Sequence, residues 1–153
     1  MRMLISRFSM TVTPMIIVCG LLASGVSAMA SQDDRSCSNR TLSGDYGSAA
    51  DGVLLPAPGV VLQFRGVTIA HFNGTGNVTW VEHTVVGGQP LAPGWTAASG
   101  TYTVNPDCTG TALVISPNSP VPLKLFFVVV RQGNEIRAVL DAHAISTVFI
   151  KVE

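Results

Sequence analysis

Beyond residue 39 the chain breaks into short runs in which apolar and polar residues alternate or β-branched residues crowd together, and no eleven-residue window carries an apolar stripe at helical spacing. Eight runs stand out, near residues 40–50, 60–72, 77–86, 95–104, 110–116, 121–131, 135–141 and 144–152, and each is predicted to be a strand. Turn chemistry separates them. Asn73-Gly74-Thr75-Gly76 offers positions that tolerate positive φ, Asn105-Pro106-Asp107 adds a fixed proline φ, and Gln132-Gly133-Asn134 follows a valine-rich run. Longer connections are expected at 56–59, 90–94 and 117–122, the second of them as a mobile flap.

Turns at this spacing join neighbours in sequence, which makes a meander, and eight meandering strands that close on themselves have no exposed edge. The predicted fold class is all-β: a single antiparallel eight-stranded up-and-down barrel. A β-sandwich of two sheets is the alternative, because it uses the same strands and turns. A barrel of this size either fills with side chains or holds one small ligand. A void above about 300 Å³ with a few convergent polar groups marks the second case.

Alternation suggests which residues line the interior. Leu62, Phe64, Gly66, Thr68, Ala70 and Phe72 share a face that is expected to point inward. In the next run Val78, Trp80, Glu82, Thr84 and Val86 alternate with Thr79, Val81, His83 and Val85, and both faces are apolar enough to leave the direction open. Residues 125–130 are apolar on both faces, which predicts a covering loop or terminus, or a contact between subunits.

The first thirty residues are of another kind. Arg2 and Arg7 precede an apolar stretch over 15–23 and then small residues up to Ala30, the pattern of a secretory signal peptide cleaved after Ala28 or, as preferred here, after Ala30. Residues 31–153 are then the mature chain, one barrel domain that is secreted or periplasmic. The apolar stretch is too short for a permanent membrane span and no second one follows. Losing Arg2 and Arg7 leaves seven Lys and Arg against nine Asp and Glu, a net charge near −2. So weak and mixed a charge excludes nucleic acid and anionic membrane surfaces as expected partners. No cofactor is implied, and nothing in the pattern sets the oligomeric state.

Cys19 departs with the signal, so Cys37 and Cys108 remain in an oxidising setting and are expected to form a disulfide. Closing a loop of about 70 residues is worth roughly 4 kcal/mol in the chain-entropy model. A metal or redox pair is the alternative, but there is no CxxC spacing and no adjacent histidine.

Cys37-Ser38-Asn39-Arg40-Thr41-Leu42-Ser43-Gly44-Asp45-Tyr46-Gly47 and Gly100-Thr101-Tyr102-Thr103-Val104-Asn105-Pro106-Asp107-Cys108-Thr109-Gly110 contain both of these cysteines, with Phe72-Asn73-Gly74-Thr75-Gly76-Asn77 between them. In these segments the chain resembles a group of exported bacterial proteins that share a Cys-Ser-Asn-x-Thr-Leu-x-Gly-x-Tyr-Gly opening and a Gly-x-Tyr-x-Val-Asn-x-Asp-Cys-x-Gly middle. The resemblance implies a calycin-like or allene-oxide-cyclase-like antiparallel barrel and export. It carries no catalytic residue across.

The candidate ligand-binding residues are Phe64, Phe72, Trp80, Glu82, Trp95 and Tyr102, since aromatic walls with a few polar groups suit a small apolar molecule. Core packing accounts for the same aromatics. Trp95, after the Pro93-Gly94 of a long loop, is expected to cap a barrel mouth. Arg65 and Glu82 lie on the two arms of one hairpin and are read as near-opposite, either a surface ion pair or a buried acid with its partner. Asp141 and His143 would share a face on a strand, but neither Ser99 nor Ser116 sits in a nucleophile elbow. His71, His83 and His143 would make a metal site only if the barrel aimed all three at one point, and no metal is expected. Since no residue set defines a reaction, a secreted binding module is favoured. The alternatives are an allene-oxide-cyclase-like cyclase or isomerase, in which cavity shape directs the chemistry, and a non-enzymatic envelope or surface interaction protein.

Overall fold

A computed structural model describes residues 36–153, so the predicted signal peptide and its cleavage site lie outside the described residues. After a 3-10 turn at Asn39–Thr41 come β1 (Ser43–Ala57), β2 (Val60–Asn73), β3 (Asn77–Val86), β4 (Gln89–Pro90), β5 (Thr96–Val104), β6 (Thr109–Ile115), β7 (Leu123–Val130), β8 (Glu135–Leu140) and β9 (Ala144–Lys151). Every pairing is antiparallel. β1 pairs with β2, β2 with β3, β3 with β5, and the rest follow in order until β9 returns to β1. Eight strands thus form a closed up-and-down barrel, and the sandwich is excluded because one continuous hydrogen-bonded ring includes them all.

Two details differ from the sequence reading. β4 is a ninth strand outside the ring, pairing Gln89 and Pro90 with the end of β3. The expected flap at 90–94 is fastened there: Leu91 N donates to Thr84 O at 2.9 Å, and His83 Nδ1 lies 3.1 Å from Gly94 O. β1 also runs on to Ala57, well past residue 50, because its second half pairs with β2. Pro56 falls in the register shift between Leu54 and Ala57, where its missing N–H interrupts no ladder.

Strand parity divides interior from exterior. Tyr46 faces Ala70, Ala70 faces Trp80 and Trp80 faces Ala98, so Phe64, Phe72, Trp80 and Glu82 all point inward. The expected inward face of β2 is therefore the observed one, and the open question in β3 is answered by the same register. On β7, Leu125, Phe127 and Val129 are buried, whereas Phe126 and Val128 are 43% and 42% exposed on the outer wall. No loop or terminus among the described residues covers them.

The two ends of the barrel are built differently. The base, at the turns 73–77, 105–108 and 131–134, is plugged by aromatic rings. Phe72 sits edge-on to Tyr46, Tyr102 and Phe149, with ring centroids 5.3, 5.1 and 6.3 Å away. Leu42 and Ile136 complete the plug. The two tyrosines find partners for their buried hydroxyls. Tyr46 Oη donates to Gly133 O at 2.5 Å, and Tyr102 Oη lies 2.9 Å from Leu42 O and 3.0 Å from Asn39 O. Burial raises the ionisation of both phenols above the usual tyrosine value of 10.0.

The disulfide Cys37–Cys108 spans 71 residues and closes over this base. Cys37 N donates to Pro106 O, and Val104 N donates to Asn39 Oδ1. Thr109 fastens the tight turn by donating twice to Asp107 Oδ1, which holds that carboxyl below its usual range. Such a bond fits an oxidising, extracellular or periplasmic setting. No helix among the described residues is long and apolar enough to cross a membrane.

Candidate functional site

The mouth half of the barrel is lined by smaller side chains than the base. Ala50, Gly66 and Ala98 alternate inward where the base carries aromatic rings. Beside Ala50 lies an interior cavity of about 60 Å³. Its polar wall is made by Ser48, Thr68, Thr147 and Glu82, and its apolar wall includes Trp80 and Phe149. That is well below the roughly 300 Å³ expected of a ligand-holding barrel: the interior is mostly filled by side chains, with space for a few water molecules or for the end of a small ligand.

Glu82 dominates the chemistry of this space. The alternation that turns Val78 and Trp80 inward necessarily turns Glu82 inward as well, and it is only 7% exposed. Ser116 Oγ donates to Glu82 Oε1 at 2.5 Å, and Asn118 Nδ2 approaches the same oxygen at 3.4 Å. Ser116 is in turn held by Asn118 N, which donates to its Oγ at 3.1 Å. Both contacts go to Oε1; among the described residues no protein donor reaches Oε2, which keeps accessible surface and so is not among the fully buried unpartnered atoms. No lysine, arginine or histidine lines the cavity.

Trp80 carries a buried group of a different kind. Its Nε1 is the one buried side-chain nitrogen or oxygen among the described residues without a hydrogen-bond partner. A buried N–H left unpaired costs about 1–3 kcal/mol, and this one lies in the wall between cavity and outer surface rather than open to either.

The six candidate ligand-binding residues thus part company. Trp80 and Glu82 line the cavity together. Phe64 points inward nearer the mouth, its ring folded towards the position a side chain on Gly66 would take. Phe72 and Tyr102 belong to the base plug. Trp95 does not cap the mouth: it is 66% exposed and stands on the outer wall, 6.3 Å from the His83 ring. It lies one residue before β5, beside the outward-facing His83 rather than over the inward-facing Glu82.

The remaining constellations also separate. Arg65 is not the partner of Glu82. It lies opposite Val85, Glu82 lies opposite Thr68, and the two side chains take opposite faces. Arg65 instead pairs with Asp51 at 2.9 Å in solvent. Asp141 and His143 lie in the β8–β9 turn, where strand parity does not apply; Asp141 pairs with Lys124, and His143 Nδ1 accepts from Leu55 N. The three histidines are not brought together, and no metal-holding group of three ligating side chains occurs among the described residues. On the outer wall Asp45, His71, Thr79 and Ser99 stand opposite one another across four strands. Of these only Asp45 and His71 join, at 2.7 Å, and both are more than half exposed, so the row forms no shielded triad.

Sequence reasoning missed the polar wall. Ser48, Thr68 and Thr147 carried no motif, and Asn118 lies in a loop. Ser116 continues the inward alternation of Ala112 and Val114, which was the available signal.

Compared with protein-family models, with curated proteins and with solved structures, the chain has no match.

Proposed function

We propose that the mature chain is a secreted or periplasmic binding module that holds a small molecule in the mouth half of its barrel, around Glu82. The observation that carries this reading is a carboxylate buried in a cavity with one oxygen unused and no basic side chain beside it. Withdrawing such a group from water costs several kcal/mol, and a core that served packing alone would be better filled by an aliphatic side chain.

The size and polarity of the space narrow the apolar ligand expected from the sequence to a small one with a polar end. The calycin-like or allene-oxide-cyclase-like affiliation is part of the same proposal. It is supported by the closed meander and by the way the matching motifs meet at the base, where Asn39 binds Val104 and approaches Tyr102.

A cyclase or isomerase is the second reading, favoured by the same carboxylate, which Ser116 holds in one orientation as an acid or base requires. The test is titration of the isotopically labelled mature protein with a panel of small metabolites, read by amide and indole NMR shifts. Saturable shifts centred on Ser48, Thr68, Trp80 and Thr147 are expected. Shifts confined to the outer wall, or none, would overturn the proposal.

A further inference from the structure

The chemistry of the cavity goes further than its existence, and we infer that the ligand is a small aliphatic ammonium ion, or the amine end of a longer molecule. This rests on the binding reading above and specifies it.

One nearly buried carboxylate with no basic neighbour defines the class. Glu82, itself only 7% exposed, brings a negative charge to the cavity wall, and its protein partners, Ser116 and Asn118, are neutral donors spent on Oε1. A buried charge needs a counter-charge close by. The lining holds no lysine, arginine or histidine to provide one, so the counter-charge falls to the ligand. An ammonium N–H aimed at Oε2 makes a charge-assisted hydrogen bond, roughly twice as strong as a neutral one.

Trp80 stands in the wall of the same cavity and so reports on what enters it. The rings of Trp80 and Phe149 stand in the same lining, and aromatic faces attract a desolvated cation. About 60 Å³ limits the enclosed part to a few heavy atoms. An anion is disfavoured by Glu82, and a wholly apolar group leaves its carboxylate without a counter-charge.

The chain has two tryptophans, so its indole N–H spectrum has two signals, assignable with W95F. Ethanolamine is the probe, with ethylene glycol as its neutral counterpart and sodium chloride as the control for ionic strength. Ethanolamine is expected to move the Trp80 signal saturably while that of Trp95 stays still, and E82Q is expected to weaken binding at least about thirtyfold. Should E82Q not fold, the comparison of ethanolamine with ethylene glycol on the unaltered protein decides alone. Equal shifts with ethylene glycol, or with sodium chloride, would overturn the ammonium assignment and leave the binding reading standing. No shift with ethanolamine overturns this inference, and the binding reading falls only if the wider metabolite panel also leaves the cavity signals unmoved.

Discussion

Ser116 Oγ donates to Glu82 Oε1 at 2.5 Å across β5, joining the end of β6 to the middle of β3 through the barrel interior. The bond does two things at once. It satisfies one oxygen of a buried carboxylate, and through Asn118 it fastens the start of the 116–122 connection at the mouth. Ser116→Ala should leave Glu82 short of its best donor and cost about 1–3 kcal/mol, measured by urea denaturation. A loss indistinguishable from zero would mean that water replaces the hydroxyl without penalty.

The disulfide makes a second, independent claim on stability. Cys37 and Cys108 close a loop of 71 residues over the aromatic base. Replacing both by serine should lower stability by about 2–5 kcal/mol. The barrel should still form, because Tyr46, Phe72 and Phe149 pack beneath the bond without it. Denaturation with and without a reductant reads the difference, and reductant should change nothing in the double serine variant.

How much of this was legible in the sequence depends on whether the cause is local. The Asn73-Gly74-Thr75-Gly76 turn was, because Asn73 Oδ1 accepts from both Thr75 N and Asn77 N within the turn itself. The inward face of β2 was legible too, since Phe64, Ala70 and Phe72 alternate with Arg65, Ile69 and His71. The direction of Glu82 was not. Val78 and Trp80 on one face of β3 are balanced by Val81 and Val85 on the other, and only pairing with β2 decides between them. The end of β1 was hidden for the same reason, its strand character being supplied by the partner. Ser116 as the donor to Glu82 lies 34 residues away, and no local pattern anticipates that meeting. Trp95 was misplaced because its loop suggested the mouth, while the loop folds back on the outer wall, where His83 stands beside the indole.

The chain's two tyrosines, Tyr46 and Tyr102, both lie in the base plug. Burial raises both ionisations above 10.0. A group whose folded value is raised contributes stability that is complete below its unfolded value and lost as pH rises through the folded one. The barrel should therefore hold its stability up to about pH 10 and lose it above. Phenolate absorbance should appear together with loss of the near-ultraviolet dichroism of the folded core, as one cooperative step. Tyr46→Phe, which removes the donor to Gly133 O, should cost about 1–2 kcal/mol at neutral pH. Free titration of both phenols near pH 10 in a still-folded protein would contradict the packing described for the base.

At the acid end the sensitive group is Glu135, buried at the start of β8 with Arg137 at 2.7 Å and Arg131 at 3.1 Å. The hydrogen bond from Arg137 does most to hold its carboxyl below the usual value of 4.5, with the charges of both arginines assisting. For a depressed carboxyl the sign is opposite to that of the tyrosines. Its contribution is complete above the unfolded value and is lost as pH falls through the folded one. Stability should be level from neutral pH down to about 5 and decline below the ordinary carboxyl range. Glu135→Gln should lower the melting temperature at pH 7 and lie closer to the unaltered protein at pH 3, where the carboxylate of the latter has taken up its proton. Melting curves of the two proteins across that range test the claim, and parallel curves would show that the two arginines add nothing to the folded state.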